Sequence, residues 1–231
     1  MKTPGIIGGI APESTIQYYR LMIAAYRERI RDGSYPAILI NSIDMKRMLD
    51  LIGGDDLPGV TVFLAGEIEK MARAGADFAM FASNTPHIVF DDVQRQTSIP
   101  LLSIVEAAGS AALDLGLKRV GLFGTRFTMQ GRFYPEVFSR RGIEIAVPQT
   151  EEQDYIHGKY MSELVAGVFL PDTKERMLAI AARMREQDRI DGLVLGGTEL
   201  PLLLMDSGKL RIPFLDTTRI HAEAAAAKML S

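Results

Sequence analysis

The sequence predicts an α/β protein made of two similar halves, each built on a mainly parallel sheet. Two observations carry this. Short β-type runs alternate with helical patterns of 10 to 18 residues, and a set of landmarks recurs in the same order 113 to 116 positions further on.

In chain order, the first β-type run is 4–8 (PGIIG), which ends in glycine and leads to a helical pattern over 14–31. Ser14 and Thr15 stand at its start, where such residues are natural N-caps. A run at 37–42 follows, then a helical pattern over 61–74 that closes on AGAD, with glycine placed for a helix C-cap. The run 78–82 ends in FASNTPH (81–87): apolar residues hand over to small polar ones, as when a buried strand delivers its carboxyl end to a site. A run at 101–104 and a helical pattern at 105–115 complete the first half. The second half reads as a run at 119–123, a helical pattern at 130–140 closing on RRG, and a run at 144–146. It continues with a helical pattern at 173–187, a run at 192–195 ending in LGGTELP (195–201), a run at 214–216 and a last helix at 221–230.

The recurrence is specific. GIIGGIAPESTIQYY from Gly5 matches GLFGTRFTMQGRFY from Gly121, FASNT matches LGGTE so that Ser83 pairs with Gly197, and IPLLSIVEAA from Ile99 matches IPFLDTTRIHAEAA from Ile212. Two facing lobes of this kind would set one group of strand-end loops on each side of a cleft, a usual place for a small ligand.

Composition narrows the function. The chain has 231 residues, 47% hydrophobic and 24% charged, with a mean hydropathy of +0.08, enough to bury a large core. Net charge is −3 and the basic residues are scattered, which argues against a nucleic-acid partner. MKTPGIIGGIAP is too weakly apolar for a secretory signal and no window suits a membrane span, so a cytoplasmic protein without a membrane partner is expected. There is no cysteine, hence no thiolate metal ligand and no thiol nucleophile. His87, His157 and His221 have no metal-site spacing, so no metal is expected. GIIGG lacks the phosphate-binding patterns GxGxxG and GxxxxGK, so no nucleotide cofactor is expected either.

With GIIGGIAPEST, SNTPH, GLFGTRFTM, HGKYMSELVAG and LGGTELP in this order and spacing, the chain resembles the cofactor-independent aspartate/glutamate racemase family over essentially its whole length. The family usually shows GGxGPxAT or GGMSxEST, then CNTxH, and finally GCTE. The resemblance implies two α/β lobes with central mainly parallel sheets related by pseudo-twofold symmetry. One lobe would comprise 1–102 plus 213–231 and the other 103–212, with the active-site cleft between them. It also implies a PLP-independent isomerase with no cofactor, a small amino acid or related carboxylate as partner, and a homodimer. Asn84, Thr85, Thr125, Thr128, Thr198 and Glu199 match positions that hold substrate.

In the family one thiol removes the Cα proton and a second returns it from the other face, since a thiol pKa can be brought near working pH. Here Ser83 and Gly197 stand at those two catalytic positions. A serine hydroxyl is a much weaker acid that needs an adjacent base, and glycine offers no side chain. The two-thiol reaction is therefore not expected. The open readings are altered or impaired Cα proton transfer, a cofactor-free lyase, decarboxylase or isomerase of the same superfamily, and a catalytically silent carboxylate-binding protein. The missing thiols are equally compatible with a natural cysteine-free chain or with substitution.

Other residues carry two readings each. Glu199 is a candidate base or a loop hydrogen-bonding residue, and His87 is a candidate titrating group or a tie within its own loop. Glu13 and Ser14 belong to a loop over the substrate or cap the first helix. Arg47, after Asp44, is a fork for a substrate carboxylate or a solvated charge. Lys159, near Tyr155 on the HGKYMSELVAG helix, reaches the cleft or stays on the surface.

Overall fold

The computed structural model describes residues 1–205 and 210–231. The chain divides into two compact units, Met1–Ile104 with His221–Ser231, and Val105–Ile220.

The first unit carries a four-stranded parallel sheet of order β2-β1-β3-β4, from β1 (Pro4–Gly8), β2 (Leu39–Ser42), β3 (Phe78–Phe81) and β4 (Leu101–Leu102). Its helices are α1 (Pro12–Arg29), α2 (Met45–Gly53), α3 (Leu57–Arg73) and α4 (Phe90–Arg95), the last preceded by a 3-10 turn at Thr85–Val89. A parallel sheet needs cover on both faces. Ile6, Phe78 and Met80 pack with Tyr18, Met22 and Tyr26 of α1 and with Ala222, Ala225 and Met229 of the last helix. On the opposite face, a side chain at Gly5 would meet Met71 of α3, and Ile7 shares that side by the two-residue period of a strand.

The second unit repeats the plan. Its sheet has order β6-β5-β7-β8, from β5 (Arg119–Gly124), β6 (Glu144–Ala146), β7 (Gly192–Gly196) and β8 (Phe214–Asp216), all parallel. Along it run α5 (Ile104–Asp114), α6 (Arg126–Gln130), α7 (Phe133–Ser139), α8 (Thr150–Ser162), α9 (Pro171–Arg183), α10 (Leu200–Leu204) and α11 (Thr217–Leu230), which begins in this unit and continues in the first. Phe123, Leu193 and Leu195 pack against Ile156, Tyr160, Met177 and Ile180, a cluster in which each fully buried side chain contributes about 1.5–3 kcal/mol.

Two details differ from the sequence reading. The segment after Ile212 does not cross at residue 213: Phe214, Leu215 and Asp216 pair with Leu193, Val194 and Leu195, so the return to the first unit comes at His221. β-ladder bonds hold the strand where its apolar residues are buried. The helix expected over 130–140 is the shorter α7, Phe133–Ser139, because α6 has ended at Gln130 and Gly131 is extended and packs where a side chain would strike Phe133 and the Phe127 carbonyl. The glycines expected as helix ends do sit in the left-handed region, with φ of 96° at Gly75 and 70° at Gly142, as α3 and α7 close.

Candidate active site

In each sheet all strands run parallel, so all strand carboxyl ends gather on one edge of each unit, where such folds bind ligands. In the first unit this edge holds the GGIAPES loop after β1 and ASNTPH after β3. Gly8 is required by packing, since a Cβ would lie 2.5 Å from Thr15 Cγ2. Thr15 Oγ1 accepts the Gly9 N–H at 2.8 Å. Ser14 is buried, and its hydroxyl reaches the Ala11 carbonyl at 2.8 Å, Ile10 at 3.3 Å and, across the edge, Ala82 at 3.1 Å. Ser14 thus ties the loop after β1 to the end of β3. Ser14→Ala is expected to cost about 1–2 kcal/mol in urea unfolding, the usual loss for such a bond; a cost below about 0.3 kcal/mol would show that the tie is idle.

Ser83, Asn84 and Thr85 are all buried directly after β3. His87 lies beneath them, stacked on Phe90 with ring centroids 4.9 Å apart and edge-on to Phe81. Its Nε2 accepts the Ile104 N–H at 3.2 Å, which requires Nδ1 to carry the proton and donate to the Asn84 carbonyl, also at 3.2 Å. Burial, with a smaller contribution from His221, pushes its pKa down to about 3. Of its two readings, His87 therefore takes the structural one: both nitrogens hold backbone groups of the loop. Among the described residues no imidazole or carboxylate hydrogen-bonds the Ser83 hydroxyl, so this serine has no activating base.

Glu13 is exposed in the first turn of α1, a favourable place for a negative charge beside the helix N-terminus. Asp44 N-caps α2 through the Lys46 and Arg47 amides. Arg47 is exposed, with its guanidinium 4.5 Å from the Phe63 ring centroid in a groove lined also by Leu51, Pro58, Val62 and Glu67. It thus engages α3 by a cation–π contact.

In the second unit, Thr125 N-caps α6: its Oγ1 takes the Thr128 N–H at 3.3 Å and lies 3.2 Å from the Thr128 hydroxyl. Gly124 mirrors Gly8, since a Cβ there would come within 2.9 Å of Thr128 and 2.7 Å of the Gly196 carbonyl. After β7 come Gly197, Thr198 and Glu199, the last two 2% exposed. The Glu199 carboxylate accepts from the Thr198 hydroxyl at 2.9 Å and from the Tyr160 hydroxyl of α8, the donors a buried carboxylate demands. A Cβ built on Gly197 would fall 2.4 Å from Tyr160 Cε2 and 2.9 Å from its hydroxyl oxygen: the tyrosine ring fills the place of the absent side chain. Lys159, one residue earlier, is paired with Glu163, which also accepts from Thr173 at 2.6 Å. Lys159 thus pairs along its own helix, and it is Glu163 that ties the end of α8 to α9.

Tyr160 is the residue that the sequence alone did not single out. It lies within HGKYMSELVAG, but nothing in that segment links it to Glu199, 39 positions further on. The available signal was indirect, a glycine where the resemblance expects a side chain.

The family model for Asp/Glu/hydantoin racemases matches residues 7–225. The chain belongs to this family. A broad specificity amino-acid racemase, RacX of Bacillus subtilis, is 24% identical over 98% of both chains. The crystal structure of an aspartate racemase homologue from Pyrococcus horikoshii superposes with a TM-score of 0.85 at 35% identity, covering 100% of each chain. The aspartate racemase of Picrophilus torridus, 23% identical, shares the fold with a TM-score of 0.76 over 99% of this chain and 94% of its own. No helix among the described residues is long and apolar enough to cross a membrane, and no group of three or more His, Asp or Glu there is arranged to hold a metal.

Proposed function

We propose that this racemase-family chain binds a small amino acid or related carboxylate, with aspartate and glutamate the first candidates, and that its Cα proton transfer does not run on two thiols. The observation that carries the reading is the retention of the strand-end polar set in a chain with no cysteine. Asn84, Thr85, Thr125, Thr128 and Thr198 are all buried at the carboxyl edges of their sheets, whereas Ser83 and Gly197 stand where the family pattern has its thiols. A carboxylate binds by replacing its water shell with N–H and O–H donors, and these loops supply both.

The test is a ligand-dependent thermal shift with the two enantiomers of aspartate and glutamate against neutral amino acids. A saturable shift for an acidic ligand is expected. Thr85→Ala and Thr198→Ala should each raise its Kd roughly tenfold, equivalent to about 1.4 kcal/mol. If no acid gives a shift by about 10 mM, the weakest binding worth the name on this scale, or if both variants bind as tightly as the unaltered chain, the pocket reading fails.

A further inference from the structure

We propose that Tyr160, backed by Glu199, is the proton-transfer group that the second unit presents in place of a side chain at residue 197. The inference rests on the reading that a small carboxylic acid binds here, and deepens it by naming the group that faces its α-carbon.

Three features of the structure support it. The first is position. The Tyr160 hydroxyl oxygen lies 2.9 Å from where the Cβ of residue 197 would be, so the phenol occupies the volume next to β7 from which a side chain at 197 would act. The second is connection. The Tyr160 hydroxyl donates to Glu199 Oε2, and the same carboxylate oxygen receives the Thr198 hydroxyl at 2.9 Å. The third is the electrostatic setting. Burial, and next the Glu199 charge, hold the phenol well above its ordinary pKa, while Thr198 and the Glu199 backbone amide oppose that rise. A phenol so placed stays neutral at rest and suits a relay, in which it gains one proton while it gives up another.

The step balances without any co-reactant. The Cα–H bond of the bound acid breaks, and its proton forms a new O–H bond at Tyr160 Oη. The proton already on Oη passes in the same event to Glu199 Oε2, and the electron pair of the broken bond remains on the ligand as an enolate-like carbanion. Tyr160 ends neutral and Glu199 ends protonated; the reverse step returns a proton to Cα from the same side. Because the same group takes and returns the proton, the step predicts exchange of the α-proton with slow inversion or none.

The experiment follows loss of the Cα–H signal of aspartate and glutamate in D2O, with Kd measured in parallel for whichever acid binds. Y160F keeps the ring that fills the space beside Gly197 but removes the relay, and E199Q keeps a partner for the phenol but removes the proton acceptor. Each should lower the exchange rate by about 100-fold or more, the usual contribution of a positioned acid–base group, with Kd changed by less than about threefold. A structural role alone would move Kd or the fold and spare the ratio of exchange to occupancy. Exchange that survives in both variants overturns the proposal. So does an acid that binds the unaltered protein without any exchange, an outcome that leaves the binding reading standing. Absence of any binding removes both.

Discussion

Between pH 7 and pH 4 the protein is expected to lose roughly 6 kcal/mol of stability through His87 and His221 alone, about 3 kcal/mol each. Both are wholly buried in the first unit. His221 Nε2 donates to the Leu102 carbonyl at 3.0 Å, and its Nδ1 accepts the Tyr18 hydroxyl at 2.8 Å. Burial pushes each pKa from 6.5 down to about 3. A histidine whose folded pKa lies below its unfolded value binds fewer protons when folded. Its contribution is therefore complete above the unfolded pKa of about 6.5 and is withdrawn as pH falls towards about 3. Urea unfolding at intervals from pH 7 to pH 4 measures the slope. His221→Gln retains a donor for Leu102 and an acceptor for Tyr18 yet cannot take the proton, so it should lower the slope near pH 5 by about 1.4 kcal/mol per pH unit. An unchanged slope would mean that His221 is not held neutral by burial. Because the charge on His221 also opposes protonation of His87, the double variant should flatten the profile by slightly less than twice the single effect.

Much of the fold could be read in the sequence because its period is simple. Among the described residues, β1 to β8 coincide with the β-type runs, and the paired glycines at 5 and 121, and at 8 and 124, mark equivalent points of β1 and β5. Their cause is steric in both units, since Gly8 abuts Thr15 and Gly124 abuts Thr128. Shorter helices were harder to read. α2 and α4 have 9 and 6 residues, close to the length at which periodicity no longer separates a helix from a loop. The strand-end residues were legible for the same reason as the strands. What each of them does was not, because that depends on partners distant in sequence: Ser14 on Ala82, His87 on Ile104, and Glu199 on Tyr160. A histidine four residues after Ser83 looks like a nearby base until the structure shows both of its nitrogens committed to backbone.

Gly197→Cys, the substitution that would return a thiol to the second unit, is expected to destabilise the protein rather than simply equip it. The new Cβ would come within 2.4 Å of the Tyr160 ring, a separation that real side chains do not tolerate. Gly197 itself does not move freely, since it follows the buried end of β7, so the strain falls on Tyr160. Displacing that ring strains a packed cluster, at about 1–3 kcal/mol, and weakens a hydrogen bond to a buried carboxylate, itself a contribution of about 1.5–3 kcal/mol. With roughly 2–4 °C per kcal/mol for a chain of this size, a fall in Tm of about 5–24 °C should follow. Tyr160→Leu relieves the overlap but forfeits the phenol. The two changes together should cost about 1–2 kcal/mol less than the sum of the separate costs, the size of coupling seen between residues in contact. Additive costs would show that the ring yields without strain, and that glycine at 197 is not required by Tyr160. If the coupling is found, glycine at 197 and tyrosine at 160 form one structural unit. Any attempt to restore two-thiol chemistry through Ser83→Cys and Gly197→Cys must then change residue 160 as well.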